Sequence, residues 1–327
     1  MVQFVDRYGR RFPYLRLSVI PACNFRCTYC LPGGYRPEAG MKGPLSLAEM
    51  GRLLRGFAML GMHKLRLTGG EPSLRRDLVR VIEMAAATPG VTKVAMTTNG
   101  CLLKRRLSDW CAAGLTALNV SVDTLDSPRF AAITGHDRLD EILAGIDLAL
   151  ASRLTSVKLN AVLMRGVNDE ELPAWLDYLR ERPLTVRFIE LMQTGENRVF
   201  FQRHHVRADS LQGVLRAQGW QERARASDAG PAREFAHPDY AGRIGIIAPY
   251  SKDFCKACNR LRVTSAGDLR LCLFGEFGIP LRHYLQDDAQ QPELVAAILG
   301  QIGQKHAGHA LLQGHTGITP HLAATGG

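Results

Sequence analysis

The sequence Cys23-Asn24-Phe25-Arg26-Cys27-Thr28-Tyr29-Cys30 places three cysteines at the spacing C-x3-C-x2-C, with a tyrosine directly before the last. Thiolates this close along the chain suit an iron–sulfur cluster, because one short loop can wrap a corner of the cube of iron and sulfide. A cube of four irons needs four ligands and this loop offers three, which predicts one iron with an open position. A tetrahedral zinc ion is the alternative, but no other Cys or His lies within ten residues on either side.

The chain around this loop predicts parallel β/α units. Strands are predicted at 14–20, 64–68, 91–97, 117–121, 156–164 and 185–190, with helices at 47–60, 74–87, 106–113, 139–152 and 170–181. Six such units are too few for a closed barrel of eight, so the pattern favours an α/β fold with an incomplete, three-quarter parallel barrel. Ligands are expected at the carboxyl ends of its strands.

Regular alternation stops after residue 190, and the domain boundary is placed at 195. Residues 1–195 are assigned to the partial barrel and residues 196–327 to a C-terminal α+β extension. In the extension, 192–207 reads as a loop, 208–218, 280–285 and 293–305 as helices, and 243–247 as a strand.

Composition narrows the class of protein. The 327 residues are 46% hydrophobic and 22% charged, as in ordinary globular proteins. No signal-peptide pattern and no run of about 20 apolar residues is present, which favours a cytoplasmic protein that does not contact a membrane. The net charge of +10 suits an anionic partner, either nucleic acid or a small polyphosphate. Basic residues are scattered and no aromatic stacking stripe stands out, so nucleic acid is not favoured.

Cysteines form a second group, Cys255, Cys258 and Cys272, in the C-terminal part. The grouping indicates metal binding rather than disulfides, and Cys101 and Cys111 are interpreted as small buried residues. A zinc ribbon with His283 as fourth ligand and an iron–sulfur cluster remain equal alternatives on spacing alone.

The motif C-x3-C-x-Y-C resembles the signature of the radical SAM superfamily, whose three cysteines hold a 4Fe-4S cluster that chelates S-adenosylmethionine (SAM). The second group, followed by Arg260-Leu261-Arg262, resembles the GTP 3′,8-cyclase family of molybdenum cofactor biosynthesis, in which a second 4Fe-4S cluster binds the guanine of the substrate. The similarity extends over nearly the whole chain, through the segments 15–18, 64–72, 97–100, 119–123, 157–160, 190–192 and 326–327.

This resemblance implies a role for individual residues. It implies cluster ligands Cys23, Cys27 and Cys30 for the first cluster and Cys255, Cys258 and Cys272 for the second. It implies SAM contacts at Tyr29, Gly70, Ser121 and Met192. It implies GTP contacts at Arg16, Arg66, Thr97, Lys158, Arg260, Leu261 and Arg262, with Lys64 as a further candidate. Arg66 is the catalytic candidate that positions ribose and base, and the tail Gly326-Gly327 is expected to enter the active site.

The implied reaction is that of a lyase. A 5′-deoxyadenosyl radical removes hydrogen from C3′ of GTP, and the nucleotide closes to (8S)-3′,8-cyclo-7,8-dihydroguanosine 5′-triphosphate. The resemblance also implies a homodimer, an electron donor such as flavodoxin or ferredoxin, and cyclic pyranopterin monophosphate synthase as the next enzyme. The alternatives are a radical SAM peptide-maturing enzyme with an auxiliary cluster and a zinc-ribbon protein that binds nucleic acid.

Overall fold

The computed structural model describes residues 4–37, 40–226 and 229–324. Its strands are β1 Tyr14–Ser18, β2 Lys64–Thr68, β3 Lys93–Thr98, β4 Ala117–Ser121, β5 Ser156–Leu163, β6 Thr185–Glu190, β7 Gln221–Glu222, β8 Arg233–Ala236, β9 Arg243–Ile247, β10 Arg260–Val263, β11 Asp268–Arg270 and β12 Ile279–Pro280. Its α-helices are α1 Leu47–Met59, α2 Leu78–Ala87, α3 Leu103–Ala112, α4 Ser127–Thr134, α5 Leu139–Leu150, α6 Leu172–Leu179, α7 Arg198–His204, α8 Asp209–Ala217 and α9 Gln291–Ile302.

The strands form one sheet in the order β12-β11-β10-β1-β2-β3-β4-β5-β6-β9-β8-β7. The six predicted barrel strands, β1 to β6, are neighbours in chain order and run parallel. Two further parallel strands extend them, because β10 pairs with β1 and β9 pairs with β6. The sheet is an incomplete parallel barrel, and the antiparallel pairs β11–β12 and β7–β8 lie at its two ends.

Side chains alternate between the two faces of these strands. On β1, Leu15 and Leu17 join the hydrophobic core, whereas Arg16 lines an interior cavity. On β2, Leu65 and Leu67 are core residues and Arg66 faces the cavity. Because side chains in a strand point alternately to opposite faces, the core lies outside the barrel under the helices and the interior is polar and basic.

Several predicted elements are corrected by the structure. The helix predicted at 74–87 begins only at Leu78, because Pro72–Leu74 forms a separate 3-10 turn. The segment 192–207, read as a loop, contains α7. The helix predicted at 280–285 is the short strand β12 followed by the 3-10 turn Arg282–Leu285. Helix α4 and strands β10 and β11 were not predicted. No helix of the described residues is both long and apolar enough to cross a membrane.

Candidate active site at the open barrel

One cavity lies inside the barrel and is lined by both cysteine triads. The first triad is on the loop after β1 and the second lies around β10 and β11, which form an antiparallel hairpin. Strand β10 pairs in parallel with β1 and places Arg260 beside Tyr14, so Cys258 lies at the amino end of β1, whereas the first triad follows its carboxyl end. All eight cysteines are free thiols, and Cys101 and Cys111 are buried as predicted.

The cysteine loop is packed tightly onto the loop after β2. Gly70 donates its main-chain N–H to Ile20 O at 2.9 Å, and Glu71 donates to Ala22 O at 2.8 Å. A Cβ added to Gly70 would collide with the carbonyl oxygen of Ala22. Glycine is therefore required here by the cysteine loop itself, and the main chain of Gly70 still borders the cavity.

Glu71 is buried beside these glycines and holds the next strand end in place. It accepts hydrogen bonds from Thr98 Oγ1 at 2.7 Å, Asn99 N at 2.6 Å and Ser73 N at 2.9 Å. Burial raises the pKa of this carboxyl, and the three donors offset part of the rise. The sequence motif Gly69-Gly70-Glu71-Pro72 thus links the cysteine loop to the ends of β2 and β3.

Tyr29 is fixed by a second buried carboxyl. Its hydroxyl donates to Asp123 Oδ2 at 3.0 Å, and Val162 N donates to Asp123 Oδ1 at 2.8 Å. Tyr29, Ser121 and Met192, three of the predicted SAM contacts, all line the cavity with the first triad. Asn197 connects two of them, since its Nδ2 donates to Met192 O at 3.0 Å and to Tyr29 O at 3.3 Å.

Asp123 gives a prediction for stability against pH. Burial raises the pKa of its carboxyl from 3.8 to about 6, and the bonds from Val162 and Tyr29 offset only part of that rise. Between pH 3.8 and about 6 the folded state therefore keeps a proton that the unfolded chain has released. The contribution of Asp123 to the free energy of unfolding is complete below pH 3.8 and is lost as the pH rises to about 6. The loss is expected to be about 3 kcal/mol in the free energy of unfolding.

Urea unfolding of the metal-free protein across this pH range measures the effect. Asp123→Asn should reduce the slope by the contribution of Asp123, whereas Asp140→Asn, at an exposed position, should keep the wild-type slope. An Asp123→Asn variant with the wild-type slope would contradict the assignment.

The part of the cavity wall formed by β10, β1 and β2 carries a band of arginines. The strand register places Arg262 beside Arg16 and Arg16 beside Arg66. Arg260 lies two residues before Arg262 on β10 and lines the same cavity. Lys64 and Thr97 also line the cavity, as predicted. A band of buried cations is costly unless an anion neutralises it.

Arg66 is held by several contacts. Its Nε donates to Tyr14 Oη at 2.6 Å, and its Nη1 donates to Met96 O at 3.0 Å and Thr97 Oγ1 at 3.2 Å. Burial opposes ionisation of Tyr14, but the charges of Arg66, Arg16, Lys64 and Arg260 outweigh it and lower its pKa to about 7. The low pKa of this phenol reports how positive the surroundings are.

Two residues predicted as GTP contacts lie elsewhere. Lys158 does not line the cavity, and its Nζ donates to Glu234 Oε1 at 2.5 Å. The side chain of Leu261 is buried in the hydrophobic core, because it alternates with Arg260 and Arg262 on β10. Only the main chain of Leu261 is left to face a ligand.

Arg187 was missed by the sequence analysis. It lies on β6, lines the cavity and is 3.7 Å from Glu234 Oε1 through its Nη2. Burial, and then the positive charge of Arg66, lower its pKa to about 10. Its position on the inward face of a predicted strand, like that of Arg16 and Arg66, could have indicated that Arg187 lines the cavity.

The residues present fit the groups that the sequence resemblance implies. Each triad offers three thiols, and Arg260 and Lys305 lower the pKa of Cys258 to about 7 against the effect of burial. Within the described residues, Arg187 Nε, Arg260 Nη1 and Arg262 Nε are buried donors without a hydrogen-bond partner, which suits them to bind an anion. His283, the fourth ligand of the zinc-ribbon alternative, does not line the cavity with the second triad.

The described chain ends beside the first triad. Leu322 and Ala323 line the cavity, and their main-chain N–H groups lower the pKa of the Cys30 thiol, although burial keeps it raised at about 12. The predicted tail Gly326-Gly327 lies outside the described residues.

Comparison with known proteins agrees with this geometry. Residues 17–179 match the family model of the radical SAM superfamily, and residues 184–311 match the model named Molybdenum Cofactor Synthesis C. The chain is 64% identical to a GTP 3′,8-cyclase of Stenotrophomonas maltophilia and 53% identical to one of Yersinia pestis, each over 100% of both chains. The crystal structure of Streptococcus suis SuiB bound to S-adenosylmethionine has a TM-score of 0.61 at 13% identity, covering 90% of this chain and 68% of SuiB, which shows a shared fold.

An incomplete parallel barrel with a cysteine triad after its first strand defines a radical SAM protein. Within that superfamily, the chain belongs to the GTP 3′,8-cyclase family.

Proposed function

We propose that this chain converts GTP to (8S)-3′,8-cyclo-7,8-dihydroguanosine 5′-triphosphate in the barrel cavity, as the first step of molybdenum cofactor biosynthesis. The observation that carries the proposal is that two cysteine triads and a band of arginines line one cavity. The triads would hold one 4Fe-4S cluster each, with Cys23, Cys27 and Cys30 for the first and Cys255, Cys258 and Cys272 for the second. When bound, the first cluster and SAM supply the one-electron chemistry that starts the reaction.

The SAM side of the cavity is assigned to the carboxyl ends of the barrel strands. Tyr29, held by Asp123, and Met192, held through Asn197, would enclose the adenine, while Ser121 offers a hydroxyl and Gly70 its main chain. These contacts tie the SAM pocket to the cysteine loop, so a shift of that loop would also move the SAM contacts.

The nucleotide side is assigned to the basic band. Arg16, Arg262 and Arg260 would neutralise the triphosphate, and the unpartnered donors of Arg187, Arg260 and Arg262 point to a ligand rich in oxygen acceptors. Arg66, fixed by Tyr14 and Met96, would position ribose and base next to Thr97. Lys158 would act through Glu234, whose Oε1 contacts both Lys158 Nζ and Arg187 Nη2.

Burial of this band also explains why a small anion is favoured over nucleic acid. Arg66, Arg187, Arg260 and Arg262 are each less than 10% exposed, so they are reached only from inside the barrel. A duplex or an extended strand needs cations on an outer surface.

The remaining assignments rest on the family. Residues 1–195 are proposed as the radical SAM partial barrel and 196–327 as the C-terminal domain, and the tail Gly326-Gly327 is proposed to enter the active site. We further propose a cytoplasmic homodimer that takes electrons from flavodoxin or ferredoxin and passes its product to cyclic pyranopterin monophosphate synthase.

Anaerobic reconstitution with iron and sulfide tests the proposal. The protein should bind about eight irons per chain, as two four-iron clusters require, and should consume GTP and SAM together. A colourless protein that binds zinc and leaves GTP unchanged would contradict it.

A further inference from the structure

A buried ion pair in the N-terminal segment lies against the second cysteine triad. Arg10 Nε donates to Asp6 Oδ2 at 2.7 Å, and both side chains are almost fully buried. Asp6 Oδ1 also accepts the main-chain N–H groups of Tyr8 and Arg10 at 2.9 Å each. The carboxylate thus fixes the guanidinium in one orientation, and neither residue lines the cavity.

The other end of the guanidinium joins two segments that are distant in sequence. Arg10 Nη1 donates to Cys255 O at 3.2 Å and to Ala307 O at 2.9 Å, and Nη2 donates to His306 O at 2.6 Å. One side chain therefore connects a cysteine of the second triad to the segment 306–309.

That segment borders the sulfur of the same cysteine. A Cβ added to Gly308 would lie 3.8 Å from Cys255 Sγ. The main-chain N–H of His309 hydrogen-bonds the Cys255 thiol. Arg10 thus holds together Cys255 and the N–H group directed at its sulfur.

Lys305 provides a second connection of the same kind. Its buried ammonium donates to the carbonyl oxygen of Leu271, the residue before Cys272, and lies 5.6 Å from the ring centroid of Phe12. Two buried cations, from opposite ends of the chain, therefore hold the main chain at two of the three cysteines.

We propose that Arg10 is a positioning residue of the second cluster, which holds Cys255 and the His309 N–H donor in the geometry that the cluster requires. This inference rests on the second cluster of the proposed function. Arginine suits the task because its rigid fork reaches one carboxylate and three carbonyls at once, which the single ammonium of lysine does not. Outer contacts of this kind orient metal ligands, and N–H bonds to the sulfurs set the reduction potential.

The test uses full-length protein in which Cys23, Cys27 and Cys30 are replaced by alanine, so that only the second triad binds iron. Arg10→Gln and Arg10→Lys are compared in this parent, with Arg11→Gln, at the exposed neighbouring position, as the matched control. The readouts are iron per chain after anaerobic reconstitution, the rate of iron loss to a chelator, and the reduction potential followed by EPR.

Both Arg10 variants should lose iron about tenfold faster than the parent, as is typical when a residue supporting a ligand is removed. Their reduction potential should become more negative, because a weakened N–H bond to sulfur stabilises the reduced cluster less. Arg11→Gln should match the parent in both measurements.

Iron loss and potential equal to the parent in Arg10→Lys would overturn the inference, because that variant keeps the charge and loses only the fork. If Arg10→Gln yields no folded protein by circular dichroism, Arg10→Lys decides alone. A parent that binds no iron would instead refute the second cluster, and the inference with it.

Discussion

Replacing Cys255 with alanine is expected to abolish formation of the cyclised nucleotide while SAM is still cleaved. The first triad is untouched by this change, since Cys255 lies on the segment before β10 and the SAM contacts lie at the ends of β1, β2, β4 and β6. With two thiols left, the proposed second cluster would lose a ligand, and with it the proposed contact to the purine. Product and 5′-deoxyadenosine, measured together by chromatography after anaerobic turnover, separate the two activities.

Cys111→Ala is the matched control, because Cys111 is a buried thiol on α3 that does not line the cavity. It should form product at close to the wild-type rate. Normal cyclisation by Cys255→Ala would show that the second triad does not hold the substrate.

Replacing Arg66 with glutamine is expected to lower kcat/KM for GTP by about 10- to 100-fold, the range for losing one hydrogen bond to a charged group. Arg66 is 6% exposed and is fixed by Tyr14, Met96 and Thr97, so its guanidinium is held in one position in the cavity. Steady-state kinetics with GTP varied at saturating SAM measure the change.

Arg105→Gln, on the exposed side of α3, should leave kcat/KM unchanged. This variant lowers the net charge by one, as Arg66→Gln does, but at an exposed position where a single charge contributes little to stability. It therefore controls for the general effect of the lower net charge on kcat/KM. An Arg66→Gln variant with wild-type kcat/KM would contradict the proposed contact between Arg66 and GTP.

The barrel strands were predictable because each carries a strong local signal. In β2, Lys64, Arg66 and Thr68 alternate with Leu65 and Leu67, and the structure has this strand with the predicted bounds. Strand β10 has a similar alternation, but it is only four residues long and lies between two cysteines of the second triad. So short a pattern does not distinguish a strand from a metal-binding loop. Its partner, β1, lies near the other end of the chain, and a local sequence pattern does not predict pairing with so distant a strand.

The site was predictable in its residue types and less so in its contacts. The six cysteines and all four predicted arginines are brought to one cavity, yet Lys158 is bonded to Glu234, which no motif marked. The role of Arg10 was not predictable, because it depends on contacts with Cys255, His306 and Ala307 that exist only in the folded molecule.

The pairing of β1 with β10 has a consequence for synthesis on the ribosome. When β1 to β6 have emerged, both outer edges of the growing sheet still lack their partners, because β9 and β10 are encoded much later. Such bare edges invite pairing with other nascent chains. Contacts between residues so far apart in sequence also form slowly. Emergence of β9 and β10, rather than completion of the first six β/α units, therefore sets the point at which both of these edges can be covered.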